Sequence, residues 1–297
     1  MIKALFLSLL FSSFAFANSY REDAELLLAR NGHVRGTINR LDTFSGKFIG
    51  FPYGKNGPLG EGVDGLIDQD PLYRFDTFDC TTYVETIMAL ALTRDVNDFE
   101  KTLDQIRYKD GVIGYLSRNH FTDLQWIPFN IENGMMEDIT TSIHPKTKTA
   151  EALINYPAWI KSIRVEQLVL PLLNLEEKKA RLAELHNEAR YYTPKIATLP
   201  YIAIKDILDT PKILNQIPHG AVVNFVRPNW DLTREAGTHQ NISHQGFLFR
   251  TGRILYLRHA STTGKVENVL FLDYLKKFAN HPTLKGIHLM KINPREN

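Results

Sequence analysis

The 297 residues are 43% hydrophobic and 23% charged, with 18 Gly and 14 Pro, which excludes collagen-like, low-complexity and disordered chains. Thirty-five Lys and Arg against 33 Asp and Glu leave a net charge of +2, too small an imbalance to indicate nucleic-acid binding or electrostatic adherence to a membrane. A chain of this length buries a large core without disulfides or a structural metal.

Residues 1–17 read MIKALFLSLLFSSFAFA: one Lys at position 3, an apolar run, then small residues at Ala15 and Ala17. This is the layout of a secretory signal, too short to span a bilayer and followed at once by Asn18, Ser19, Arg21, Glu22 and Asp23. The expectation is cleavage after Ala17, giving a periplasmic or secreted protein without a membrane anchor, with residues 18–297 forming one domain. Residues 20–31 follow as a surface helix.

Export makes the single cysteine, Cys80, informative, because cysteines in an oxidising compartment usually come in pairs. A lone Cys is most simply a small buried hydrophobe. Its surroundings offer a second reading. From Arg74 to Ala91 apolar residues recur at intervals of three and four, as in an amphipathic helix. Asp79 is the expected N-cap, with Thr77 the alternative, so Cys80 falls in the first turn, where free N–H groups and the positive dipole end favour a thiolate. It shares the inward face of Tyr83, Val84, Ile87 and Ala91, a setting suited to a nucleophile.

The middle of the chain is less explicit. Tyr108, Tyr115 and Trp126 beside Arg118 form either a sugar or peptide subsite or a packing cluster. Asn174 to Tyr191 reads as a solvated helix with a capping box at Asn174 and Glu177. Pro194, Pro200, Pro211 and Pro218 suggest a lid or wrapping segment. The Gly-rich stretch 54–65 lacks the Lys-Ser/Thr of a phosphate loop, and there is no His-Glu-x-x-His or Cys-x-x-Cys. The loosely spaced His219, His239 and His244 do not make a zinc site, so neither metal nor organic cofactor is expected.

The last third reads as strands: 221–226, 243–249, 253–259, 265–270 and 286–292. With Thr251-Gly252 as a two-residue hairpin loop, Leu248 pairs with Leu255, Gly246 with Leu257, and His244 stands opposite His259 on one face. Gly246 leaves room there for another element to approach. A thiol, a base and an orienting imidazole on these elements form the Cys-His-polar arrangement of thiol hydrolases.

Taken together, Phe51-Pro52-Tyr53-Gly54, Phe78-Asp79-Cys80, Ser243-His244-Gln245-Gly246 and His259-Ala260-Ser261 resemble the NlpC-type papain-like peptidoglycan hydrolases. Two features depart from the commonest members. Thr81-Thr82 replaces Ser-Gly after the cysteine, and the interval between Cys80 and His244 is far longer than in compact members. The runs Asp79-Cys80-Thr81-Thr82-Tyr83-Val84-Glu85, Arg107-Tyr108 and Arg118-Asn119-His120, followed by Trp126, resemble the N-acetylmuramoyl-L-alanine amidase-like subgroup instead. The resemblance implies an α+β fold: a papain-like core with the Cys-bearing helix packed on an antiparallel sheet, and a large, mostly helical insertion over roughly residues 100–215. It implies Cys80 as nucleophile, His244 as general base and His259 as the third polar member. Tyr53, Asp79, Tyr108, Arg118, His120 and Trp126 become the candidates for substrate binding. The implied substrate is peptidoglycan or its fragments, cut at the muramoyl-L-alanine amide. A γ-D-glutamyl endopeptidase and a non-catalytic wall-binding module are the alternatives.

Overall fold

A computed structural model describes residues 20–54 and 59–295; the expected export segment, 1–17, lies outside the described residues. Residues 20–30 form α1, followed by α2 (Thr37–Lys47), α3 (Cys80–Leu92) and α4 (Val96–Arg107). Every residue of α3 from Thr82 to Leu92 is buried. The run from Ile87 to Leu92 is apolar on all sides, so the helix needs cover all round. α2 and α4 flank it, and a sheet takes the remaining face. No described helix is long and apolar enough to cross a membrane.

The sheet has eight antiparallel strands: β1 (Met136–Asp138), β2 (Lys148–Ile154), β3 (Lys195–Ala203), β4 (Ala221–Leu232), β5 (Thr238–Thr251), β6 (Ile254–Ser261), β7 (Lys265–Leu270) and β8 (Gly286–Ile292). Their order is β2-β3-β8-β4-β5-β6-β7, and β1 takes the stretch of β8 beyond its pairing with β3. Alternation along the strands splits the core in two. Val222, Phe247, Ala260 and Met290 pack with α3, whereas Val223, Leu248, Leu257 and Leu289 line the opposite face.

That opposite face corrects one expectation. The proline-punctuated run is neither lid nor wrapping: Ile204, Ile207, Ile213, Leu214 and Ile217 are buried in the second core. The expected insertion over residues 100–215 is mostly helical, but it also supplies three strands to the sheet. In β2 the inward positions include Ala150 and Ala152, whose small side chains give little hydrophobic contrast along the sequence. The helix at Leu175–Glu188 matches its reading, with Asn174 and Glu177 forming the capping box.

In the β5–β6 hairpin, Thr251 pairs with Ile254, Arg250 with Leu255 and Leu248 with Leu257. The loop is therefore Gly252-Arg253, with glycine at its first position and a φ of 59°, where a primed turn takes one. This register lies two residues from the expected one. A shift of two keeps every side chain on its own face, so His244 and His259 still share a side, diagonally placed.

Candidate active site

Local chemistry sets the start of α3 at Cys80. Asp79 caps it: Thr82 N donates to Asp79 Oδ1 at 2.7 Å, and Asp79 N donates to Thr82 Oγ1 at 2.9 Å. Thr82 is thus the second half of a capping box, which gives a physical role to a residue that departs from the commoner Ser-Gly pattern. The half-buried Cys80 thiol occupies the first turn, with Thr81 Oγ1 at 3.9 Å and the Gln245 backbone N–H directed at it. The residue before Gln245 is His244, so a helix start and a strand some 160 residues away meet at the sulfur.

A bulge adjoins that meeting point. Phe225 pairs with His244 but Val226 pairs with Ile242, leaving Ser243 as the extra residue. Bulges re-aim side chains, and this one stands immediately before the histidine. His244 Nε2 lies 2.6 Å from Nδ1 of His259, and the two rings meet edge-on with centroids 4.8 Å apart. Because the pair uses Nε2, the ring nitrogen left for a thiol is Nδ1.

Glycine 246 makes the pair possible. A Cβ at that position would lie 2.8 Å from Leu257 Cδ1, 2.9 Å from His259 Cβ and 3.0 Å from the Arg258 carbonyl oxygen. Two of these contacts are to atoms on or next to the β6 backbone, so the strand itself must move. Gly246→Ala is therefore expected to destabilise the fold by about 1–3 kcal/mol. Displacing His259 should also lower turnover roughly 10²-fold. Thermal unfolding and steady-state kinetics on the same preparation check both effects; an unchanged kcat would refute the steric argument.

Tyr53 reaches the site through backbone stitching. Its N–H donates to the Gly264 carbonyl at 2.9 Å, while Phe78 N donates to Pro52 O at 3.1 Å and Gly54 N to Phe78 O at 2.9 Å. Burial, with Cys80 and Asp79 nearby, pushes its phenol up to about 12, which keeps it a hydrogen-bond donor at neutral pH.

Burial also governs the reacting groups, disfavouring charge on each. It pushes the Cys80 thiol up to about 12, helped by Asp79, while the Gln245 N–H and Thr81 pull it down. Desolvation outweighs the effect of the helix start that would favour a thiolate. Burial pushes His244 down to about 3, with His259 adding, and His259 down to about 4. The resting site therefore holds a neutral thiol and neutral imidazoles at pH 7, and charge develops only as the thiol proton moves.

The remaining candidates lie elsewhere. Trp126 is fully buried, its Nε1–H donating to Glu85 Oε1 at 3.1 Å, and Tyr108 is fully buried, its hydroxyl 3.3 Å from the Gly60 carbonyl oxygen. Neither presents a surface to a ligand. Arg118 Nη1 donates to the Leu59 carbonyl at 2.7 Å. His120 packs between Tyr115 and Trp159, with Nε2 2.6 Å from the Tyr115 carbonyl oxygen, and burial holds its ring down at about 3. Tyr108 and Arg118 bridge one another and bond the segment 59–60, whereas Trp126 bonds within the helical layer and His120 packs in an aromatic cluster; the structure gives none of the four a contact with Cys80, His244 or His259. Three contributors escaped sequence reading: the Gln245 N–H, Glu267 and Tyr274, whose ring lies 5.3 Å from that of His259. The β6–β7 pairing was available to locate Glu267, because both strands were legible; nothing in the sequence marked Tyr274. Among the described residues, no three His, Cys, Asp or Glu side chains are grouped to hold a metal ion.

Several known proteins share this architecture. A Legionella pneumophila protein of the family model DUF1460 is 35% identical, with a TM-score of 0.91 over 95% of this chain and 97% of its own. An N-acetylmuramoyl-L-alanine amidase from Bacteroides uniformis is 25% identical, with a TM-score of 0.61 over 86% of this chain and 99% of its own. A Bacteroides fragilis protein described as a proposed xylanase is 25% identical, with a TM-score of 0.59 over 84% of this chain and 100% of its own. A search of the curated proteins gave no match. A family model described as AmiA-like, N-acetylmuramoyl-L-alanine amidase-like, spans residues 43–284 and so takes in Tyr53, Cys80, His244 and His259; the chain belongs to that family.

Proposed function

We propose that this protein is a cysteine amidase of the NlpC-type papain-like kind, hydrolysing the amide between the muramic lactyl group and L-alanine in peptidoglycan or its fragments. The observation that carries this reading is the thiol at a capped helix start, facing the strand whose histidine is already bonded at 2.6 Å to a second imidazole. Nδ1 of His244 takes the Cys80 proton as the sulfur attacks the lactyl carbonyl carbon. The Cys80 backbone N–H and the Tyr53 hydroxyl hold the oxyanion. Collapse of the tetrahedral intermediate breaks the C–N bond, and the His244 imidazolium gives its proton to the departing alanine amine. Water, deprotonated by the same nitrogen, then cleaves the thioester to release the sugar acid and restore the thiol.

The disposition of the carboxyl groups favours amide over glycoside chemistry. Glycoside hydrolysis ordinarily needs two carboxyl groups flanking the scissile bond. Here Asp79 is committed to its helix cap, and Glu267 stands behind His259. The choice of the muramoyl-L-alanine bond follows the family to which the chain belongs. We further propose that residues 1–17 direct export, which would bring the enzyme to the wall.

Incubation of residues 18–297 with defined muropeptides, read by mass spectrometry, tests the assignment. The expected product is a free stem peptide beginning at alanine. Fragments cut after the glutamyl residue would replace the amidase with an endopeptidase, and intact substrate throughout would leave a wall-binding module.

A further inference from the structure

We propose that Glu267 is a positioning residue: through His259, its carboxylate selects the imidazole tautomer that leaves Nδ1 of His244 free to take the Cys80 proton. The inference rests on the thiol–imidazole reading above and deepens it. Two neutral rings share one proton across the 2.6 Å contact between His244 Nε2 and His259 Nδ1. If His244 donates, its Nδ1 is bare and can act as a base, and the proton of His259 lies on Nε2. If His259 donates instead, the proton of His244 must lie on Nδ1, and the thiol faces an N–H that cannot accept. Which tautomer forms therefore decides whether the site has a base.

The other end of His259 supplies the answer. Its Nε2 is buried and has no hydrogen-bond partner. A buried orphan nitrogen in a native fold calls for an explanation. Glu267 Oε1 stands 3.7 Å away, and the β6–β7 register sets His259 directly opposite Glu267. Thr263 Oγ1, in the turn between the two strands, lies 3.3 Å from the same carboxylate oxygen and steadies it. A carboxylate repels the lone pair of a bare Nε2 and attracts an Nε2–H, which favours the tautomer with His244 as donor. At 3.7 Å the contact is longer than a hydrogen bond, as catalytic contacts often are before substrate binds and positive charge develops.

Other groups facing His259 do not take over this role. His244 meets it from β5, and Tyr274 meets it from the helix Phe271–Lys276, with Arg227 acting electrostatically on that phenol. Lys277 opposes positive charge on His259, while Glu267 favours it.

The test uses the full mature chain labelled with ¹⁵N-histidine, with Glu267→Gln, Glu267→Ala and Thr263→Val variants. Ring-nitrogen spectra of the wild type are expected to show protons on Nε2 of both histidines, and the Glu267 variants should lose that preference. On muropeptide, kcat should fall roughly 10- to 100-fold with KM nearly unchanged. The acid limb of the kcat profile should move to lower pH, because the carboxylate that favours the imidazolium is gone. Thr263→Val should give a smaller shift in the same direction, and it carries the test if the Glu267 variants do not fold. A wild-type proton on His244 Nδ1 would overturn the proposal, as would an unchanged tautomer and acid limb across the variants. If the wild type cleaves no muropeptide, the amidase reading falls, and the ring-nitrogen spectra still decide the role of Glu267.

Discussion

Cys80→Ala is expected to lower muropeptide cleavage by roughly 10³- to 10⁴-fold or more, because no neighbouring group can take over the covalent step. The substitution keeps the helix start: the Asp79–Thr82 capping box does not involve the cysteine side chain, so thermal stability should change little. His244→Ala should be nearly as severe, and the double variant no worse than the more damaged single, since the two act as a unit. His259→Ala should cost less, because this ring orients the base without taking the thiol proton. Iodoacetamide should label Cys80 and abolish turnover in parallel. Mass spectrometry of the products and of the labelled protein measures both effects. Full activity in Cys80→Ala would end the thiol mechanism, and a larger loss from His259→Ala than from His244→Ala would reverse the assigned roles.

The second large effect concerns the helix that carries the nucleophile. Glu85 lies in the middle of α3 and is buried with Arg107 of α4: Arg107 Nε donates to Glu85 Oε2 at 2.9 Å, and both side chains are almost wholly inaccessible. The other carboxylate oxygen accepts the Trp126 indole N–H at 3.1 Å, and Arg107 Nη1 donates to the Leu72 carbonyl at 2.9 Å. The pair therefore ties α3, α4, the segment before the cysteine and the segment after α4 into one network. Glu85→Ala leaves a guanidinium buried without its counter-charge, at a cost of about 3–5 kcal/mol. For a domain of this size the expected fall in Tm is on the order of 10 °C. Arg107→Ala should be comparable, and the double variant Glu85→Ala with Arg107→Ala should be less damaging than the sum of the two. Thermal denaturation of the three variants measures the coupling. A loss below about 1 kcal/mol from Glu85→Ala would show that the buried pair contributes no more than an exposed one.

Arg107 and Trp126 show where sequence reading is blind. Both lie among the runs that suggest a subgroup resemblance, and Trp126 was a candidate for the substrate cleft, yet each is fully buried. A motif records that residue types are needed together, and the same aromatic and basic composition suits a binding cleft or a satisfied core network. Only the direction in which each side chain points distinguishes the two.

Short-range order was legible because short-range physics decides it. The Asp79 cap and the inward face of Tyr83, Val84 and Ile87 could be read from spacing, and so could the strands Lys265–Leu270 and Gly286–Ile292. Even the two-residue error in the β5–β6 register left His244 and His259 on one side, because side-chain direction along a strand repeats every two residues. What the thiol meets was decided elsewhere. The Gln245 N–H, the bulge at Ser243 and Tyr274 lie more than 160 residues beyond Cys80 in the chain. The strands β1 and β3 likewise join the sheet through pairing with β8, nearly a hundred residues or more away, and β2 joins through β3. Capping and periodicity act over a few residues and leave their mark in local sequence. The meeting of distant segments is set by which faces must be buried together, and that is settled only when the whole core closes.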